Sequence, residues 1–336
     1  MSIVTYKEGR NHAIDLMKFL AAILITNSHM VSLYPERFKI LATGGAIGDS
    51  LFFFCSGFCL MMGRNIDFFN WYKKRINRIF PTIFAVAIIE ILFRMSNPSL
   101  KDVIVNGGGW FVQAIFVFYF FFWFVKKFLN NKIWIAFIIV SIVVLTWFIC
   151  AWDKDLFFLK DATYLRWPCF FMMMLFGAFI SKKVNSQSEN KTGVRSNNGW
   201  IILGLLLLSL LFYYGYQLIW TRFTILKRFQ LILLPTLMLI VYLIYKLFTN
   251  DRLLAIYKKE KVYWAIYGIS ACCLEIYLSG SKCFPLGRSL INIFPLNIII
   301  TFLLVFVLAY VVKVFSNFLS QTFKTEKYDW KGMLML

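Results

Sequence analysis

The sequence predicts an all-α polytopic membrane protein with about ten transmembrane helices and both termini in the cytoplasm. Hydrophobic residues make up 60% of the 336 residues and charged residues only 15%, whereas soluble chains carry about 45–50% and about 25%. Apolar runs of about 20 residues, the length that spans a hydrocarbon core about 30 Å thick, recur along the chain. Lysine and arginine are also unevenly divided among the connecting segments. This composition excludes disorder, a coiled coil and a disulfide scaffold.

Ten apolar segments are long enough to be helices that cross a bilayer. Residues 133–152, 200–220 and 292–312 contain no charged residue at all. The other predicted spans are 13–34, 45–63, 79–95, 110–125, 165–181, 226–248 and 262–280. We therefore expect residues 1–336 to form a single integral-membrane domain.

The net charge of +20 is expected to orient the protein in the membrane. With ten helices, one set of alternate segments carries 23 lysines and arginines and the other carries 12. The richer side of a membrane protein is usually cytoplasmic, which places both termini there. The expected partner is thus the lipid bilayer and not a nucleic acid. The Ile-, Phe- and Lys-rich composition is compatible with a bacterial source, so the expected location is a bacterial inner membrane.

The sequence offers no sign of a metal or nucleotide motif. The seven cysteines lie within or at the ends of apolar runs, without paired CxxC spacing. Neither a disulfide framework nor a zinc site is therefore expected. A GxxxxGK[ST] motif is also absent from the sequence, which argues against an ATP-driven pump.

The first predicted span contains three ionisable residues, Asp15, Lys18 and His29. Lys18 and His29 are eleven residues apart, which on a helix is three turns plus about 20°, so they share a face. Asp15 lies about 60° from Lys18 on the same side. Ionisable groups in a span are costly and mark functional sites by default, and His29 is a candidate proton acceptor in a dry span. The alternative is an interfacial Asp15–Lys18 pair, with His29 hydrogen-bonded to a neighbouring helix.

Three further acids are embedded in predicted spans, namely Asp49, Glu90 and Glu275. Any of them could orient His29. Glu275 lies mid-span and is the most costly to leave unpaired, which makes it the first candidate. Its alternative is a structural pair with a lysine or a backbone group.

The second and third spans carry two short patterns. Ser56 and Gly57 are small residues that permit close helix approach, and packing alone would explain them. Arg75 and Arg78 project from one face at a helix start. They could bind a phosphate group at the cytoplasmic mouth or serve only as positive-inside charge.

Taken together, these motifs resemble the acyltransferase 3 family of integral-membrane acyltransferases. The resemblance covers essentially the whole chain in order and helix count. The matching positions are Lys18 to His29, Phe53-Phe54-Cys55 leading into Ser56-Gly57, Arg75 to Arg78 before Pro81, Trp110-Phe111, and LEIYL at residues 274–278 with Tyr277.

The resemblance implies an O-acetyltransferase that moves an acetyl group from cytoplasmic acetyl-CoA to a sugar hydroxyl of a surface or exported polysaccharide. It implies that His29 is the catalytic residue, with Arg75 and Arg78 facing the CoA phosphates. We expect His29 to act as general base, while Asp15 or Glu275 sets its tautomer. Ser56 or a backbone N–H would stabilise the oxyanion. An acyl-histidine intermediate is the alternative route.

Two positions depart from the family pattern. Gly280 stands where many members have a second histidine, and Ser50 stands where an aspartate is common, with Asp49 just before it. No hydrolase-like domain follows the membrane part, so the chain is expected to act alone, as a homo-oligomer or within a polysaccharide synthesis complex.

Two other functions are compatible with the same residues. One is a transporter for a free sugar or lipid-linked glycan, in which His29 and the embedded acids form a proton relay. The other is a catalytically inactive relative that scaffolds a polysaccharide synthesis complex.

Overall fold

The computed structural model describes residues 11–93, 95–159, 164–189, 198–322 and 327–335, and these contain helices but no strand. Short 3₁₀ turns join several of the helices. The α-helices in the described residues are α1 (His12–His29), α2 (Gly45–Met62), α3 (Phe68–Leu92), α4 (Leu100–Asn106), α5 (Gly109–Phe128), α6 (Ile133–Cys150), α7 (Arg166–Glu189), α8 (Gly199–Trp220), α9 (Leu233–Phe248), α10 (Asp251–Tyr257), α11 (Glu260–Ala271), α12 (Cys273–Ser279), α13 (Phe284–Leu290), α14 (Leu296–Thr322) and α15 (Trp330–Leu334).

The all-α polytopic fold is confirmed, and the predicted count of ten spans is approximate. Every predicted span falls on a helix. Within the described residues, seven helical segments are long and apolar enough to cross a membrane. They are α5, α6, α7, α8 and α14, together with α2 and α9 when each is counted with the 3₁₀ turn before it, as Glu36–Met62 and Thr224–Phe248. The bent pair made of α11 and the segment Cys273–Leu290 would be an eighth. The other two predicted spans correspond to α1 and α3, which are less apolar because α1 contains Asp15 and Lys18 and α3 begins with a basic stretch.

Helices α2 and α7 cross with their backbones in direct contact. A methyl group added to Gly57 would lie 1.8 Å from the Met174 carbonyl oxygen, and one added to Gly177 would lie 2.0 Å from that of Phe54. The two glycines therefore bring the two backbones into contact, as the small pair Ser56-Gly57 indicated.

By contrast, α6, α8 and α14 expose large apolar side chains, among them Ile142, Leu211 and Val307. Because lipid is the solvent there, these faces form the outer surface.

Helix α1 lies at the centre of the fold and packs against α2, α9, α11 and α12. It begins with Asn11, whose side chain accepts a hydrogen bond from the Ala13 N–H. It ends at His29, five residues earlier than the predicted span 13–34. The chain then turns back, because the Asn27 side chain donates to the carbonyls of Leu41 and Thr43 and accepts from the Tyr34 hydroxyl. These contacts cover the outer end of α1 with a loop, and a longer helix would break them.

The ninth predicted span, residues 262–280, is a broken helix. α11 ends at Ala271, and α12 starts at Cys273 with an axis bent by 55°. The Cys273 thiol donates to the backbone carbonyl of Lys18 at 3.1 Å. The break therefore lies against α1 at Lys18.

Candidate functional site

Several predicted site residues gather around one small space between α1, α2, α3, α12 and α14. We call it the inner cavity. It has a volume of about 100 Å³. It lies beside the first half of α1 and of α3, at Lys18, Arg75 and Arg78. Its polar lining comprises Lys18, Ser56, Arg75, Arg78, Ser270, Glu275 and Lys313.

The inner cavity has an excess of positive charge. Four cationic side chains and one carboxylate line it. The Arg75 guanidinium stacks on the Trp71 ring, 4.3 Å from its centroid, and lies 5.6 Å from the centroid of Tyr119. Stacking fixes the orientation of the guanidinium while leaving its N–H groups free to bind oxygen atoms. Arg78, one helical turn further along α3, is exposed at the same mouth. Phosphate groups suit this combination of fixed cations.

Glu275 is bound to a lysine in this structure and not to His29. Its Oε1 atom lies 3.1 Å from Lys313 Nζ and accepts a hydrogen bond from the Thr82 hydroxyl at 3.3 Å. Its Oε2 atom is buried and has no hydrogen-bond partner among the described residues. Glu275 lines the inner cavity, whereas His29 lines other cavities. These contacts correct the expectation that Glu275 orients His29, and they match the alternative of a structural pair with a lysine.

Asp15 is also far from His29. It lies fourteen residues from His29 along α1, which is about 21 Å of helix. The side chain is 2% exposed, and the Tyr257 hydroxyl donates to it at 3.5 Å. The expectation that Asp15 sets the tautomer of His29 is thus corrected, because no side chain spans that distance.

His29 lies at the outer end of α1, where two larger cavities meet. We expected a buried side chain in a dry span, and the structure instead shows an exposed one, because α1 ends there. Both cavities are lined by Ile25, His29 and Tyr277. The cavities that contain His29 therefore lie further along α1, toward its last residue, than the inner cavity at Lys18.

The first outer cavity, which we call the Glu90 cavity, has a volume of about 410 Å³. Glu90 and Lys282 line it and form an ion pair at 2.8 Å. Asp102, in the short helix α4, also lines it. The Ser99 side chain and backbone donate hydrogen bonds to Asp102, which lowers the pKa of this carboxyl below its ordinary value. Asp102 is therefore ionised at neutral pH.

The second outer cavity, which we call the Arg166 cavity, has a volume of about 340 Å³. The Arg166 guanidinium lies 3.8 Å from the centroid of the Trp110 ring, and both residues line the cavity. Its Nε atom is buried without a hydrogen-bond partner among the described residues. Asp49 lines the same space, together with Phe157, Tyr213, Tyr214 and Gln217.

Sequence reasoning missed Arg166 as a site residue and named Asp49 only as one of several acids. Arg166 precedes an apolar run and looked like a loop charge, and a single sequence gives no other signal for it. Asp49 and Glu90 are the embedded acids that share a cavity with His29. Trp110 and Tyr277, predicted from the resemblance, also lie there, and their roles in substrate binding stay predictions.

Three aromatic side chains separate the inner cavity from His29. Phe111 is buried and packs against Phe52, with ring centroids 4.9 Å apart, and against Tyr277 at 4.5 Å. Phe52 and Phe111 line the inner cavity, and Tyr277 lines both outer cavities. We call these three residues the aromatic layer. The layer thus lies between the lining of the inner cavity and the lining of the two outer cavities.

The described part of the chain contains no group of three or more His, Cys, Asp or Glu side chains placed to hold a metal ion.

Comparison with known proteins gives one match. A family model described as an acyltransferase domain matches residues 11–317. No curated protein and no solved structure matches the chain.

Proposed function

Because this chain belongs to the acyltransferase 3 family and is therefore a membrane acyltransferase, we propose that it transfers acetyl groups from cytoplasmic acetyl-CoA to a polysaccharide. The acceptor would be a hydroxyl group of a cell-surface or exported glycan. The enzyme would work in the inner membrane of a bacterium. One observation supports this proposal most strongly: a cationic cavity and a histidine cavity lie on the two sides of the aromatic layer.

The inner cavity suits the donor. Arg75 and Arg78 at its mouth would bind the phosphates of acetyl-CoA, and Lys18 and Lys313 add positive charge further in. The cavity beyond the arginines is narrow, so a thin pantetheine arm fits there better than the nucleotide does. Phe111 and Phe52 close its far end, and their displacement would admit the thioester to His29.

The outer cavities suit the acceptor and the chemistry. A ring nitrogen of His29 would take the proton of a sugar hydroxyl as its oxygen attacks the thioester carbonyl carbon. The carbon–sulfur bond then breaks, and the imidazolium returns the proton to the departing CoA sulfur. Asp49 and Glu90 line the two cavities that contain His29, and a carboxylate there would stabilise the imidazolium.

A turnover assay tests this function directly. Purified full-length protein in lipid nanodiscs is incubated with acetyl-CoA, with and without the polysaccharide of the cell that makes it. We expect free CoA to be released only when the polysaccharide is present, with an equal amount of acetyl ester on the glycan by mass spectrometry. A transporter would instead move sugar across a vesicle membrane without consuming acetyl-CoA. That result would overturn the proposal.

The donor site makes a separate prediction. Arg75→Ala and Arg78→Ala should each raise the KM for acetyl-CoA by about tenfold, which corresponds to about 1.4 kcal/mol, while kcat changes less. The reason is that a phosphate contact made equally in the ground state and the transition state affects binding alone. Steady-state kinetics with varied acetyl-CoA measures both constants.

The matched control is Lys74→Ala, an exposed cation on the same helix that does not line the inner cavity. We expect its donor KM to stay at the wild-type value. An unchanged KM in both arginine variants would place the CoA phosphates elsewhere.

A further inference from the structure

The two outer cavities are different arms of one cleft, with His29 at their junction. They share Ile25, His29 and Tyr277, and they extend from there in different directions, one toward α3 and α4 and the other toward α8. Each volume, about 410 and about 340 Å³, lies at the lower end of the range of about 300–1,000 Å³ for small-molecule sites. Each arm alone therefore has the size of a site for one small unit.

The Arg166 arm combines aromatic faces with hydrogen-bonding groups. Phe157, Trp110 and Tyr214 supply rings, and Gln217 and Arg166 supply donors. A sugar ring has an apolar C–H face and a polar rim of hydroxyl groups, so it matches a surface of this kind. The buried Arg166 Nε–H without a partner in the described residues is a donor that a bound hydroxyl would satisfy, since a buried unpaired donor is costly.

The Glu90 arm has a different chemistry. The Glu90–Lys282 ion pair, with side chains 14% and 35% exposed, borders it, and Asp102 adds a second carboxylate. At Gly109 the backbone has a φ of +59°, and no atom lies within 4 Å of the position that a side chain would take. The cavity therefore reaches the backbone directly, and a ligand can approach it closely.

From this geometry we infer that the acceptor is bound as a chain of at least two sugar units, one in each arm, with the reacting hydroxyl at His29 between them. The inference rests on the proposed function and narrows its substrate class. The enzyme acts on units within an oligosaccharide or polysaccharide, and free monosaccharides are poor acceptors. The ionised groups of the Glu90 arm and the aromatic rings of the Arg166 arm hold the units on either side.

The test measures the dependence of acetylation on acceptor length. The acceptors are oligosaccharides of one to six units, prepared by partial hydrolysis of the cell's own surface polysaccharide after alkaline de-acetylation. With purified protein in nanodiscs, we expect kcat/KM to rise at least tenfold from one unit to three and then to level off. The acetyl group should appear on an internal unit in tandem mass spectra.

A constant kcat/KM from one unit to six would overturn the inference and leave the acetyltransferase function standing. Absence of acetylation at every length, and on the intact polysaccharide, would overturn both. These two failures are distinguishable because the first still releases CoA.

A double variant tests the Glu90 arm separately. Glu90→Gln combined with Lys282→Met removes its ion pair and should lower kcat/KM for the trisaccharide at least fivefold more than for the monosaccharide. The matched control is Glu36→Gln with Lys39→Met, which removes an exposed ion pair on the same side of the protein and should leave both values unchanged. An equal loss for both acceptors in the first variant would show that the ion pair does not hold a second sugar unit and would contradict the arm.

Discussion

Replacing His29 with alanine is expected to lower the acetyl-transfer rate by about 10²–10⁴-fold, the usual contribution of a general acid–base group. The loss should appear in kcat, because the imidazole acts on the hydroxyl proton in the transition state. The side chain is exposed at the end of α1, and exposed substitutions usually change stability by less than about 0.5 kcal/mol. The variant should therefore remain folded, as size-exclusion chromatography and thermal unfolding would show.

The other histidine of the chain provides the matched control. His12 is the first residue of α1, at the opposite end of the helix, and lies against the rings of Tyr257 and Tyr263. His12→Ala should keep its acetyl-transfer rate within about twofold of the wild type. A His29→Ala enzyme that acetylates normally would remove the general-base role. If cells retained glycan acetylation with His29→Ala but lost it on deletion of the whole protein, the scaffold alternative would be supported.

The second large effect concerns the α2–α7 crossing. Gly57→Ala should destabilise the protein by more than the about 1–3 kcal/mol of ordinary overpacking. The reason is that the new methyl group would lie 1.8 Å from the Met174 carbonyl oxygen and 2.7 Å from its carbon. The clash is with backbone, so no side-chain rotation can relieve it, and the two helices would have to separate. Thermal unfolding in detergent, followed by fluorescence size-exclusion, measures the loss.

Gly204→Ala is the control for this substitution. Gly204 lies within α8, and no atom lies within 4 Å of the position that its new methyl group would take. Alanine has a higher helix propensity than glycine, so we expect the same or greater stability. A Gly57→Ala protein that unfolds at the wild-type temperature would show that α2 and α7 can move apart without cost.

The sequence predicts the helices well because apolar length alone determines what can cross a bilayer. Every one of the ten predicted segments is helical in the structure. The bend at Cys272 and the end of α1 at His29 were not predicted, since both depend on contacts between distant segments. The Asn27 hydrogen bonds to Leu41 and Thr43 that cover the end of α1 are an example.

The sequence identified residues that line the cavities better than it identified the contacts that those residues make. Lys18, Ser56, Arg75, Arg78 and Glu275 line one cavity, whereas Ser56 and Glu275 were expected to act beside His29. Helical phase tells which face a residue occupies, but it does not identify the neighbour that packs there. For that reason a lysine partner of Glu275 was expected only as the alternative to His29, and Arg166 was missed altogether.

The aromatic layer also has an electrical consequence. In the proposed enzyme, water in the cavities on either side of the layer would concentrate the membrane voltage across Phe52, Phe111 and Tyr277. Moving one elementary charge through that voltage involves about 2.3 kcal/mol per 100 mV. In the proposed reaction, the phosphates of acetyl-CoA stay with Arg75 and Arg78. Only the neutral thioester end of the molecule passes through the aromatic layer. Acetylation would thus proceed at the same rate in an energised and a de-energised cell.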